Sequence, residues 1–324
     1  MNATATAYPN IALIKYWGKQ DENLILPATP SLSLTLDVFA TTTTVRLVDH
    51  EFDTVVLNGD ETDGPFAERV VRFLDIVRNQ SRNSARAQVI TRNSGPTAAG
   101  LASSSSGFAA LALAASTAFG MELSSKDLSR LARRGSGSAC RSIYPGLSSW
   151  HPGSDETSHG EHIASTGLDL SMVIVMVNAA SKSISSRTAM RLTTETSPYY
   201  AAWVDSSQTD MQRALDAIAS ADLPALGLLV ERNALKMHAS MLAADPPIVY
   251  LEPLSLELVR FAGSLRREGI DVFATMDAGP NVKLLCSSQD AGIVAEEISK
   301  SFDIETIVAR SGPGVYLDDS AVKS

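Results

Sequence analysis

Three segments in the first half of the chain alternate β-branched with other residues: "TTTTVRLV" from Thr41, "DTVVLNG" from Asp53 and "RAQVITRN" from Arg86. Successive side chains of a strand point to opposite faces, so these segments predict strands. Between the second and third, "GPFAERVVRFLDIVRN" repeats its apolar residues at helical spacing and predicts a helix. A second helix is predicted for the alanine-rich run that follows the serines near residue 105. In "LSSKDLSRLARRG", Ser124 is a candidate N-cap with Asp127 three residues on, a pattern like a capping box, and Gly135 ends the helix. The short apolar run "LSMVIVMVN" from Leu170 predicts a buried strand.

Near Ser181 the character changes. From Ser197 to about Ala244 the pattern is helical, with a break near "ADLPA", and Pro253 opens a further helix that ends at Gly269. "VFATMDAGPNVKLLC" predicts strand, turn, strand; "QDAGIVAEEISKSF" a helix; "ETIVARSGPGVYL" a closing strand. The expected class is α+β, with a strand-rich first lobe and a helical second lobe holding a small sheet, meeting near residue 185.

Composition narrows the function. The formal net charge of −9 argues against non-specific binding to nucleic acid or to an anionic membrane surface. An acidic chain can still hold an anionic ligand if it gathers its few cations locally. Two cysteines, Cys140 and Cys286, do not make a disulfide framework and are expected to be small buried residues in a reducing compartment. "MNATATAYPNIALIKYWGK" lacks the cationic start and apolar core of a signal peptide. No apolar run approaches the ~20 residues that span a bilayer. The expected location is cytosolic.

The candidate chemistry lies in short polar clusters. In "PTAAGLASSSSGFAALALAA", Gly100 and the serines Ser103 to Ser106 lead directly into a helix. A helix start leaves backbone N–H groups unpartnered and carries roughly +0.5 of a charge, so glycine and serine there can cradle phosphate. A serine cap followed by small residues for tight packing reads equally well. "GSGSACRS" offers Ser136 and Ser138 before Arg141, whose guanidinium can clamp a carboxylate or phosphate; a turn with a surface arginine is the ordinary alternative. Lys15 and Lys19 flank Tyr16 and Trp17, either gathering phosphate charge or anchoring a loop. "KSISSRTAM" adds Lys182, Ser185, Ser186 and Arg187, and "MDAGPN" puts Asp277 at a strand end, where turn aspartates are common. The histidine-bearing "HPGSDETSHGEH" has no metal-ligand spacing and is expected to be a solvated loop.

Taken together, "YPNIALIKYWGK", "PTAAGLASSSSGFAAL", "GSGSACRS", "SSR" and "MDAGPN" occur in the order found in the diphosphomevalonate decarboxylases of the GHMP kinase superfamily. The resemblance runs from Ala7 to the closing strand. The glycine–serine loop is shared across the superfamily, whereas "IKYWGK" with "GSGSACRS" is specific to the decarboxylase branch. The small-molecule kinases usually open with "GEH", and this chain has "YWGKQDE".

This resemblance implies a two-lobed GHMP-kinase-like fold. Its parts would be an N-terminal ribosomal-protein-like β/α lobe (1–184), a C-terminal ferredoxin-like α/β lobe (185–324) and an active site in the cleft between them, in a homodimer. It implies ATP-dependent decarboxylation of (R)-5-diphosphomevalonate to isopentenyl diphosphate, with ADP, phosphate and carbon dioxide as the other products. ATP and Mg²⁺ are the implied cofactors. The implied catalytic residues are Asp277, Lys15, Arg141 and Asn10. Tyr16, Trp17, Lys19, Ser136, Ser138, Ser186 and Arg187 would bind the substrate. Gly100, Leu101, Ala102, Ser103, Ser104 and Ser105 would hold the ATP phosphates, with Ser104 toward the metal. The family's "SSAAG" is "SSSSG" here, adding two hydroxyls at the helix start. A phosphomevalonate decarboxylase, a kinase that stops after phosphorylating the 3-hydroxyl, and a non-catalytic sensor are the rival readings; retention of Lys15 and Asp277 argues against the last two.

Overall fold

The computed structural model describes residues 2–95, 103–164, 167–178 and 184–318. In chain order the elements begin with β1 (Asn2–Ala7), β2 (Asn10–Ile14), β3 (Lys19–Asp21), β4 (Leu26–Pro27), β5 (Ser31–Thr35), β6 (Thr41–Val48), β7 (Thr54–Leu57) and β8 (Asp60–Glu61). Then come α1 (Pro65–Ser81), β9 (Arg86–Asn93), α2 (Ser103–Ala118), α3 (Ser125–Gly135), a 3-10 turn (Gly137–Cys140), β10 (Leu147–Trp150), β11 (Gly160–Ile163) and β12 (Leu170–Val175). The remainder is α4 (Ser186–Thr196), α5 (Tyr200–Ala219), α6 (Leu223–Leu242), α7 (Pro253–Arg267), β13 (Val272–Met276), β14 (Val282–Ser287), α8 (Ala291–Phe302), β15 (Thr306–Arg310) and β16 (Tyr316–Leu317).

The first sheet, β16-β1-β6-β9-β7-β8, is stitched by threonines on facing strands. Thr4 meets Thr44 at 2.9 Å, Thr6 meets Thr42 at 2.8 Å and Thr43 meets Thr91 at 2.9 Å. Such hydroxyl pairs satisfy each other while their methyls fill the pleat. Helices α1 and α2 cover the sheet, and α3 packs on both of them. The alanines of α2 are buried, and their small side chains bring its backbone close to β1 and β6. The Ser124 cap forms as expected, accepting from the Asp127 N–H.

A second sheet, β11-β10-β5-β2, and a third, β13-β14-β12-β15, are joined by one apolar core. Ile11, Leu13, Leu32 and Leu34 from the second meet Met172, Ile174 and Leu285 from the third, with Met211, Leu226 and Val230 of α5 and α6 between. The third sheet's other face packs on α7 and α8. Strand β12 pairs with β14 and β15, and β16 returns to pair with β1. The chain therefore crosses between the sheets on both sides of residue 185, and "ETIVARSGPGVYL" supplies two strands in different sheets rather than one.

Other differences from expectation are local. Helix α4 begins at Ser186, with the Ser185 hydroxyl capping the Thr188 N–H, ahead of the helical pattern read from Ser197. The loop after Trp150 is anchored rather than solvated throughout: Asp155 pairs with Arg130, Arg133 and Arg134, and the Ser158 hydroxyl accepts from the Trp150 indole at 2.9 Å. Among the described residues no helix is long and apolar enough to cross a membrane.

Helix α6 lies against both β2 and β13, the strands that lead to Lys15 and Asp277. Gly227 permits the close approach to β13: a Cβ there would stand 2.0 Å from the Phe273 ring. Overpacking of this kind typically costs ~1–3 kcal/mol. Gly227→Ala should therefore lower the urea midpoint by a corresponding amount at unchanged m-value; an unaltered midpoint would show that the helix can retreat without penalty.

Candidate active site

Strand β2 slips register between Ala12 and Ile14, and Lys15 follows directly. Its backbone N–H donates to Asn233 Oδ1 of α6 at 2.8 Å. Its ammonium donates to the Ala12 carbonyl at 2.7 Å and to Asp277 Oδ1 at 2.8 Å. Asn233 is itself fixed by Asp210, which pairs with Arg232 and Lys236. Burial pushes the Lys15 pKa down, and the Asp277 carboxylate opposes that shift.

Asp277 sits just past β13, where its carbonyl accepts from the Gly279 N–H at 2.8 Å. The carboxylate is 26% exposed, so one side faces solvent. On the other side Lys283 of β14 approaches Oδ2 at 3.4 Å. His238 of α6 completes the floor, hydrogen-bonded to the Asp277 backbone. Burial, then the Lys15 charge, holds this imidazole at about 4, so it is neutral at physiological pH.

Arg141 follows the 3-10 turn and is buried. Its guanidinium donates to Ser33 Oγ at 2.9 Å, Ser31 Oγ at 2.5 Å and Asn10 Oδ1 at 3.2 Å. Asn10 is oriented in turn by the Ser138 carbonyl and the Ser142 hydroxyl, at 2.9 and 2.8 Å. Among the described residues no carboxylate lies within ion-pair distance of Arg141, so its charge is held by neutral dipoles.

The two serine clusters meet. Exposed Ser104, in the first turn of α2, has its Oγ 3.2 Å from Ser136 Oγ at the end of α3. Ser105 is buried, as is Ser106, whose hydroxyl pairs with Thr41 at 2.7 Å. Helix α2 begins at Ser103. Gly100, Leu101 and Ala102 lie outside the described residues, as does Lys182.

Tyr16 stacks on Trp150 with centroids 4.7 Å apart, and its buried hydroxyl has no hydrogen-bond partner among the described residues. Gly18 has φ +108° and faces the Tyr200 hydroxyl, which a Cβ would strike at 1.8 Å; the "YWGK" turn thus requires glycine. Trp17, expected among the substrate-binding residues, is instead packed into an apolar cluster with Met190, Trp203, Met237 and Met241. Its carbonyl accepts from the Trp203 indole at 3.0 Å, so it holds the turn against α5. Lys19 pairs with Glu22 across the turn between β3 and β4. Ser186 and Arg187 form the first turn of α4.

Four neighbours of this site escaped the sequence reading: Lys283, His238, Asn233 and Arg69. Arg69 of α1 donates to the Gly135 carbonyl at 3.0 Å. Burial and then nearby Arg187 lower its pKa to about 10. Lys283 had a legible signal, a lone lysine inside the otherwise apolar "VKLLC". The other three are ordinary helix residues until the helices are docked.

Similarity to known proteins agrees with this arrangement. The α+β architecture matches a solved structure of the mevalonate diphosphate decarboxylase from Enterococcus faecalis, described for its mevalonate diphosphate mediated ATP binding mechanism. The TM-score is 0.93 and identity 44%, covering 99% of each chain. A second structure with the same figures is described as a complex with MVAPP, AMPPCP and magnesium. The fold is accordingly that of the GHMP kinases. Within it, residues 7–161 match the family model for the diphosphomevalonate decarboxylase-like N-terminal domain, and 172–317 that for the mevalonate 5-diphosphate decarboxylase C-terminal domain. The human diphosphomevalonate decarboxylase is 37% identical over 86% of this chain and 75% of its own length. The chain belongs to the diphosphomevalonate decarboxylase family.

His238 generates a pH prediction. The unfolded histidine takes a proton near 6.5 and the folded one only near about 4, so the unfolded state binds more protons between those values. Stability should fall as pH drops through that window, by up to about 3 kcal/mol from this group. In His238→Gln the decline between pH 7 and 4.5, measured by urea unfolding, should be shallower. Parallel slopes for the two proteins would mean the imidazole titrates normally.

Proposed function

We propose that this chain catalyses the ATP-dependent decarboxylation of (R)-5-diphosphomevalonate to isopentenyl diphosphate, releasing ADP, phosphate and carbon dioxide. One observation carries the reading. A carboxylate open to solvent, Asp277, is held by buried Lys15, while buried Arg141 has only neutral side chains as its hydrogen-bond partners among the described residues. A buried cation without a counter-charge is costly, and an anionic ligand offsets that cost.

Asp277 accepts or orients the proton of the tertiary 3-hydroxyl as that oxygen takes a phosphoryl group from ATP. Because cations favour its ionised form, Asp277 is a weak base, and positioning outweighs proton affinity. Phosphate then leaves from C3, positive charge builds there, and the C1 carboxylate departs as carbon dioxide. Arg141, held by Asn10, grips that carboxylate; its planar fork suits a bidentate contact. Lys15 pairs with both Asp277 and the transferring phosphoryl group. Tyr16, Lys19, Ser136, Ser138, Ser186 and Arg187 bind the diphosphate, and Arg69 adds charge beside Arg187.

The nucleotide phosphates take the opening of α2, where the positive end of the helix and the exposed Ser104 hydroxyl fit an anion with its cation. Mg²⁺ supplies neutralisation of phosphate charge there, with Ser104 as the protein group toward it. The active site lies between an N-terminal lobe, 1–184, and a C-terminal lobe, 185–324, in a homodimer. The free, buried Cys140 and Cys286 suit a reducing cytosol.

Purified protein with ATP, Mg²⁺ and diphosphomevalonate should release carbon dioxide and phosphate in step with ADP. ADP without carbon dioxide would make it a kinase, and preference for the monophosphate would make it the phosphomevalonate enzyme. In the same assay Asp277→Asn should lower kcat by roughly 10³-fold or more with nucleotide binding nearly intact; normal turnover would remove Asp277 from the mechanism.

A further inference from the structure

Lys283 is a charged residue near the reaction centre that the proposed mechanism leaves unused. It stands in β14 between Val282 and Leu284 and is buried to 2% exposure. Besides Asp277, its ammonium reaches the Asn281 carbonyl, at a long 3.3 Å. A buried ammonium so sparsely satisfied is a poor stabilising device: an aliphatic side chain of similar volume would be as good or better for the fold. What the lysine does supply is a charge 3.4 Å from Asp277 Oδ2, on the opposite oxygen from the one Lys15 holds at 2.8 Å.

We propose that Lys283 is a positioning residue: with Lys15 it clamps Asp277 electrostatically, one ammonium against each carboxylate oxygen, biasing the orientation of the carboxylate and keeping it ionised. Among the described residues the charged and titratable groups around Asp277 are Lys15 from the end of β2, Lys283 from β14, His238 from α6 and, at longer range, Arg141 after the 3-10 turn. His238 is neutral at working pH and so adds no charge to the balance. Two ammoniums against one carboxylate leave a net positive charge. That surplus holds Asp277 deprotonated and leaves attraction over for an incoming phosphoryl group. A single lysine would fix one oxygen and let the carboxylate rotate about its Cβ–Cγ bond. The catalytic meaning of this clamp rests on the function proposed above; the clamp itself does not.

The test therefore has two arms. In protein carrying ¹³C-labelled aspartate carboxyls, the Asp277 resonance is assigned by its loss in D277N and followed against pH. In K283M its titration should move up by about one pH unit or more, because a cation at this distance lowers an aspartate by ~1–3 units. K283R should titrate close to the wild type. In the kinetic arm, the acid limb of kcat/KM should shift in the same direction in K283M, with kcat falling more than KM changes, and K283R should recover it. A purely structural lysine would lower activity without moving either titration, and a wild-type Asp277 titration in folded K283M overturns the proposal. If K283M does not fold, K283Q carries the same measurements with a polar side chain. An NMR shift in a protein that releases no carbon dioxide upholds the clamp and rejects the decarboxylase function.

Discussion

Buried positive charge must be answered, and the centre of this protein is arranged around that requirement. Lys15, Lys283 and Arg141 are all almost fully buried, and among the described residues Asp277 is the carboxylate that two of them share. Desolvating each cation costs several kcal/mol, and a contact near 3 Å returns roughly 5 kcal/mol at an effective dielectric of about 20. One carboxylate cannot compensate three such groups. The remaining deficit favours an anion at this centre, and the substrate proposed above, with its carboxylate and phosphates, would supply charge at more than one point.

That concentration is possible because the fold brings the ends of separate sheets to one helix. Strand β2 delivers Lys15 and the β13–β14 turn delivers Asp277, while α6 packs against both strands and fixes Lys15 through Asn233. The apolar core shared by the second and third sheets makes this joint stiff, since close-packed interiors transmit displacement rather than absorb it. The first sheet contributes differently. It sets the opening of α2 beside the end of α3, so that Ser104 and Ser136 meet at 3.2 Å. That side offers a helix start and hydroxyls, the other side fixed charges.

Much of this was legible in the chain. The strands from Thr41 and Arg86, the capped helix at Ser124 and the turn at Asp277 declare themselves because each is specified by its own neighbours. The quoted motifs likewise pointed to Lys15, Asn10, Arg141 and Asp277. What stayed hidden is what only packing specifies. Trp17 can be read either as a substrate contact or as a loop anchor until α4, α5 and α6 are seen to enclose it. Helix α4 was missed because its first turn is the serine–arginine cluster itself, and a capping serine looks the same as a binding one. Arg69, Asn233 and His238 gain their meaning from helix docking, which no local pattern encodes.

The choice of side chain at each position follows from the same electrostatics. Burial lowers the pKa of lysine and arginine alike, but arginine starts so high that Arg141 stays charged among hydroxyls and an amide. It needs no counter-ion of its own, and with one N–H of each terminal nitrogen engaged it still has a second N–H on each for a carboxylate. A lysine in the same neutral cage would be prone to lose its proton. At Lys15 burial also pulls the pKa down, and the Asp277 carboxylate opposes that pull. Guanidinium where the surroundings are neutral, ammonium where a carboxylate is at hand: the positions are not interchangeable, and the difference lies in what each cation requires in order to remain a cation.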